Sequence, residues 1–122
     1  MIHNKFLNAL PNLVGGSTQR IPTHLTFSSD DVSVQFTDNS ISGETGSRIS
    51  LDTPSIDNNS ITFVADRPST LPPSGGTRLN ASALFTSSSD GDMWATALIS
   101  SVLHTTSFNI EVRHTFNFVR EL

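Results

Sequence analysis

Ser89-Asp90-Gly91-Asp92-Met93-Trp94-Ala95-Thr96-Ala97-Leu98-Ile99-Ser100-Ser101-Val102-Leu103-His104 is the stretch on which the fold class turns. Its first four residues fit a capping box, with Ser89 as N-cap and an acid at the third helical position. Asp90 and Asp92 also suit the positive end of a helix dipole. Met93, Trp94, Ala97, Leu98 and Val102 then make a stripe at helical spacing, so the pattern predicts an amphipathic helix from Asp92 to about His104. The segment Phe108 to Leu122 fits two periods: Phe108, Ile110 and Val112 alternate as in a strand, while Phe108, Val112, Thr115, Val119 and Leu122 share a helical face. Its β-branched and aromatic content favours a strand.

Upstream of this stretch the period is two. Ile21, Thr23, Leu25 and Phe27 alternate with polar residues, with Pro22 restricting that strand to an edge or to its first positions. Phe6 to Leu13, ending at Gly15-Gly16-Ser17, supplies the other arm of an expected N-terminal hairpin. Alternation recurs at Val32/Val34/Phe36, Ile49/Leu51/Thr53, Ile61/Phe63/Ala65 and Leu79/Ala81/Ala83/Phe85, separated by Asp, Asn, Gly and Pro turn chemistry. Short connections predict antiparallel neighbours in sequence order. The expected class is therefore α+β: a single domain over 1–122, with a hairpin over 1–28, a meander sheet over 31–87 and a helical or tail region over 90–122.

One helix covers a strip about 10 Å wide, whereas five strands span about 24 Å. On that geometry the sheet's apolar face stays partly bare, and an interlocked dimer would cover it.

Composition narrows the chemistry. The chain has 122 residues, no cysteine, 15% charged residues and a formal charge of −4. Disulfides and thiolate metal sites are excluded, and an acidic balance argues against phosphate neutralisation by Lys and Arg. No apolar run approaches the ~20 residues of a membrane-spanning helix. His3, His24, His104 and His114 lack metal-ligand spacing, and no serine sits in a nucleophile-elbow pattern. No enzyme, cofactor or small-molecule substrate is expected.

The order of elements carries a resemblance. Arg48-Ile-Ser-Leu-Asp-Thr-Pro-Ser, the Asp-Asn-Asn-Ser turn and Ile61-Thr-Phe-Val-Ala-Asp-Arg are similar to the two central strands of the coat proteins of single-stranded RNA bacteriophages. Arg78-Leu-Asn-Ala-Ser-Ala-Leu-Phe followed by Ser-Ser-Ser-Asp-Gly-Asp-Met-Trp resembles that family's last strand running into its first helix. The resemblance implies a homodimer that builds an icosahedral T=3 shell around single-stranded genomic RNA, assembled in a bacterial cytoplasm, with no membrane partner. It implies RNA contacts at Arg48, Ser50, Asp52, Thr62, Val64, Arg78 and Asn80. It also implies an inter-subunit loop containing Arg67, Pro68, Pro72, Pro73, Gly75 and Gly76, and a dimer interface at Trp94, Leu98 and Val102. The alternative is a small β-rich binding, adhesion or phage-structural module without RNA binding, favoured by low charge and by Ser/Thr richness.

Overall fold

A computed structural model describes residues 2–4, 21–30, 38–57 and 59–117. Seven strands follow one another: β1 His24–Ser28, β2 Ile49–Ser50, β3 Ser55–Asp57, β4 Ser60–Arg67, β5 Thr77–Phe85, β6 Met93–His104 and β7 Ile110–Asn117. They form a four-stranded sheet in the order β2-β1-β5-β6 and a three-stranded sheet in the order β3-β4-β7. Every pairing is antiparallel. The class is all-β, which overturns the α+β expectation.

The decisive stretch forms a hairpin arm instead of a helix. Asp90 and Gly91 both adopt left-handed conformations, with φ of 53° and 74°. Two such residues in succession reverse the chain, and Asp-Gly is the pair that tolerates this best. The loop is tied by Thr86 N–H donating to the Asp92 carbonyl at 3.0 Å and Asp92 N–H donating to Thr86 Oγ1 at 2.9 Å. Phe85 then faces Met93, and β6 runs back along β5. The apparent helical stripe arises because β6 starts with four consecutive buried residues. A strand covered on both faces shows no alternation, and its apolar run imitates a helix face. The ambiguous tail is a strand over Ile110–Asn117.

The two sheets pack face to face. Leu25, Phe27, Leu79, Leu84, Trp94 and Ala95 from one meet Phe63, Ala65 and Phe116 from the other in a single core. Phe63 and Phe116 pack edge to face, with ring centroids 5.9 Å apart and planes at 82°. The chain's own second sheet thus covers the apolar face that was expected to need a partner, so the bare-face argument for an interlocked dimer does not hold. The far side of the four-stranded sheet is also covered: Ala81, Ala83, Phe85 and Met93 pack with Ile41. For this reason Thr26, Ser28 and Ser82 are buried alongside the apolar residues that alternate with them.

Strand neighbours differ from a meander. β3 and β4 form one hairpin, β5 and β6 another, but β4 pairs with β7 and β5 pairs with β1. Pro22 precedes β1, which is an interior strand. The alternation at Ile49/Leu51/Thr53 breaks after Ser50, where the chain leaves one sheet and joins the other at Ser55. Of the expected N-terminal hairpin, the Phe6–Leu13 arm lies outside the described residues, as does the strand at Val32/Val34/Phe36. Ile2 instead bridges to Ala95, and His3 N–H donates to the Trp94 carbonyl at 3.0 Å, both on the outer edge of β6.

The Pro68–Gly76 connection ends in two left-handed glycines. At Gly76 (φ 86°) a Cβ would sit 2.8 Å from the His104 carbonyl oxygen, whereas one at Gly75 (φ 93°) would meet nothing within 4 Å. Gly76→Ala therefore combines backbone strain with a clash against main chain and is expected to cost about 2–3 kcal/mol. Gly75→Ala carries the strain alone, roughly 1 kcal/mol. Urea unfolding of both variants checks the difference; equal losses would contradict it.

Candidate functional site

The positions expected to share one polar face are divided between the sheets. Thr62 and Val64 lie on the outer face of the three-stranded sheet, where Thr62 Oγ1 meets Thr115 Oγ1 at 3.0 Å. Ser50, Arg78 and Asn80 belong to the four-stranded sheet, and Asp52 sits in the crossover between sheets. Arg48 is committed internally. Its Nη1 donates to the carbonyls of Ser87 (3.1 Å) and Asp90 (2.6 Å), its Nε pairs with Glu44 at 3.0 Å, and its guanidinium lies 3.6 Å above the Phe85 ring. Arg78 donates to Ser101 Oγ at 3.0 Å, and Asn80 to the Ser29 carbonyl at 2.8 Å.

The outer face of the three-stranded sheet carries little positive charge. Asp66 stands opposite Glu111, while Arg113 is paired with Glu111 at 2.6 Å. A phosphate backbone needs local cations in excess, and this face does not present them.

The Arg67–Thr77 loop is a built connection. Leu71 N–H donates to the Pro68 carbonyl at 3.1 Å and Gly76 N–H to the Pro73 carbonyl at 2.9 Å. Ser69 N–H donates to Asn109 Oδ1 at 2.8 Å, fastening this loop to the one before β7. Its first residue, Arg67, is buried.

Sequence reasoning missed one intersheet pair. His114 on β7 reaches across the core, and its Nε2 lies 2.9 Å from the buried Ser82 Oγ on β5. Burial pushes the imidazole down to about 4 from its ordinary 6.5, because the charged form loses hydration there. A serine beside a histidine is a nucleophile arrangement in form. Ser82 is fully buried, however, so the pair acts as an internal polar strut. Among the described residues no group of three or more His, Cys, Asp or Glu side chains is placed to hold a metal ion.

The three residues expected at a dimer interface separate as well. Trp94 is a core residue at 3% exposure, whereas Leu98 is 73% exposed and Val102 38%. Both exposed residues lie on β6, whose other edge pairs with β5. The N-terminal bridge covers the outer edge only at Trp94–Ala95. From Ala97 to His104 no further strand covers that edge among the described residues. Leu103 (41%) extends the exposed apolar surface, and no Lys, Arg, Asp, Glu or Pro interrupts Met93–His104. Charged residues and prolines are the usual means of blunting an edge strand. The only such device present is an irregularity in the ladder, where Leu79 and Ala81 on β5 face Val102 and Leu98 on β6. This tightens the local bend and leaves the outer edge open.

These features define a small antiparallel β-sandwich with one sticky edge. No family model, curated protein or solved structure matches the chain.

Proposed function

We propose that the chain is a non-enzymatic structural module that joins a second copy of itself edge to edge through β6, without nucleic acid. The observation that carries this is the open, uncharged outer edge from Ala97 to His104, with Leu98 exposed at its centre. Unpaired strand edges recruit further strands by main-chain hydrogen bonding, and exposed apolar side chains add to the association. The sequence is also self-complementary there. A twofold axis perpendicular to a continuous sheet keeps each residue on its own face, so antiparallel copies must be centred on a residue. Centring on Ser100 places a small side chain at the axis, sets Leu98 against the second copy's Val102, and sets Ala97 against the second copy's Leu103. Like-sized apolar pairs of this kind stabilise cross-strand contacts.

The shell around RNA has less behind it. Its helix is a strand, its RNA positions lie on two sheets, and the cations among them are engaged or isolated. The structural-module alternative needs none of those features.

Sedimentation velocity over a concentration series tests the reading. The wild type is expected to show a reversible monomer–dimer equilibrium. Leu98→Lys removes two buried leucines per dimer and sets a charge on the edge, which should weaken association by roughly 30-fold or more. Its circular dichroism should stay unchanged, since Leu98 makes no core contact. A wild type that remains monomeric at every concentration, or a Leu98→Lys variant that dimerises as well, would overturn the reading.

A further inference from the structure

Arg67 closes β4 on the core side. Burial along that strand alternates through Phe63, Ala65 and Arg67, and the arginine is only 4% exposed. Its guanidinium carbon lies 5.8 Å from the Phe27 ring centroid. Its Nε is buried without a hydrogen-bond partner, and no carboxylate among the described residues pairs with it. The neighbouring acid, Asp66, is on the opposite face of the strand, across from Glu111, which holds Arg113. Desolvation accordingly pushes the guanidinium below its ordinary value. A buried cation without a counter-charge costs several kcal/mol, and a fold tolerates it only where something else in use supplies the anion.

A second group at the same end of the sandwich is also short of a partner. Arg67 pairs with Ile110 at the start of β7, and Thr77 at the start of β5 pairs with His104 at the end of β6. The loops joining these four strand ends cross between the sheets and are tied together by Ser69 and Asn109. His104 is fully buried, and its Nε2 donates to the Phe108 carbonyl at 2.7 Å. That fixes Nδ1 as an acceptor, and Nδ1 is buried with no hydrogen-bond partner. Two interior nitrogens thus lie unmatched beneath one pair of loops.

We propose that this end of the sandwich is a binding site for a carboxylate, with the Arg67 guanidinium as its anchor. The Nε edge of a guanidinium, together with one Nη, is the fork that a carboxylate fills with two parallel hydrogen bonds. One buried cation beside an aromatic ring matches a monoanion; a phosphate dianion would bring a second charge with nothing to meet it. The carboxylate is either that of a small organic acid or one presented by another polypeptide, and the chemistry at Arg67 is the same for both. The site is independent of the β6 edge, so its failure leaves the edge reading untouched.

The probe is sodium acetate against sodium chloride at equal ionic strength and pH 7. The Arg67 Nε–H resonance and the melting temperature are followed in the dimer-weakened Leu98→Lys background as well as in the wild type. Acetate should shift both saturably where chloride does not. Arg67→Met should melt higher than the wild type in anion-free buffer, since it removes the unmatched charge, and should lose the acetate response. Arg67→Lys keeps the charge without the fork and should bind acetate at least tenfold more weakly, which decides the matter even if the methionine variant fails to fold. A glutamate-terminated peptide that matches acetate at this resonance indicates a polypeptide source, and acetate alone a small-acid source. Equal responses to acetate and chloride, saturation by inorganic phosphate in preference to acetate, or an acetate response surviving in Arg67→Met would each overturn the proposal.

Discussion

Trp94→Asp is expected to abolish folding of the isolated chain, because the indole belongs to the core that joins the two sheets. Trp94 packs with Leu25, Phe27, Phe63 and Phe116 and is 3% exposed. Removing a buried aromatic of this size costs about 3–5 kcal/mol through lost transfer and cavity terms. Leaving a carboxylate in its place adds several more, or forces it to take up a proton. Together these approach the whole stability of an ordinary domain, about 5–15 kcal/mol. Loss of near-ultraviolet circular dichroism and of a cooperative melt would be the readout. A variant that stays folded and merely fails to associate would place Trp94 at an interface and refute the core assignment. Trp94→Phe, which keeps an aromatic of smaller volume, should lose less and remain folded.

Acid should destabilise the molecule before its carboxylates titrate. His114 sits between the sheets with Phe63 opposite it on β4, and its Nε2 meets the buried Ser82 hydroxyl. Its value is about 4 in the folded protein against 6.5 ordinarily. The unfolded chain therefore takes up the proton first. The stabilisation is complete above pH 6.5 and is lost as pH falls from there through 4, reaching on the order of 3 kcal/mol. The diagnostic window is pH 6.5 to 5, where the carboxylates of the unfolded chain contribute little. Urea midpoints should fall across this window in the wild type. In His114→Gln, which keeps a polar group for Ser82 and cannot gain the charge, they should stay level. A flat wild-type profile, or the same slope in both proteins, would show that the imidazole is not held neutral by burial.

What could be read from the sequence follows from how many faces each strand exposes. β4 was legible because Thr62 and Asp66 meet solvent while Phe63 and Ala65 meet the core. β5 was legible as a strand, yet Ser82 and Leu84 are as deeply buried as Ala81 and Ala83, so the expectation of one wet face failed. β6 was misread because Met93 to Thr96 is covered on both sides, which erases the two-residue period. The Asp90-Gly91 pair was the available signal, since Asp-Gly between apolar runs is a hairpin cue as much as a helix start. The candidate site depended on neighbour relations that composition does not carry. β4 and β5 are consecutive in the chain, but the Pro68–Gly76 connection takes them into different sheets, and this separates Thr62 and Val64 from Arg78 and Asn80. Leu98 and Val102 were singled out as contact residues on a helix. They are exposed together because they lie four residues apart on one strand at an open edge.

Amide hydrogen exchange along β6, measured at several protein concentrations, tests the edge most directly. If β6 pairs with the second copy's β6, outward-pointing amides between Ala97 and Leu103 gain protection as concentration rises, while those of β4 and β7 stay constant. Exchange in that segment that is indifferent to concentration, with the protein well above micromolar levels, would contradict the account.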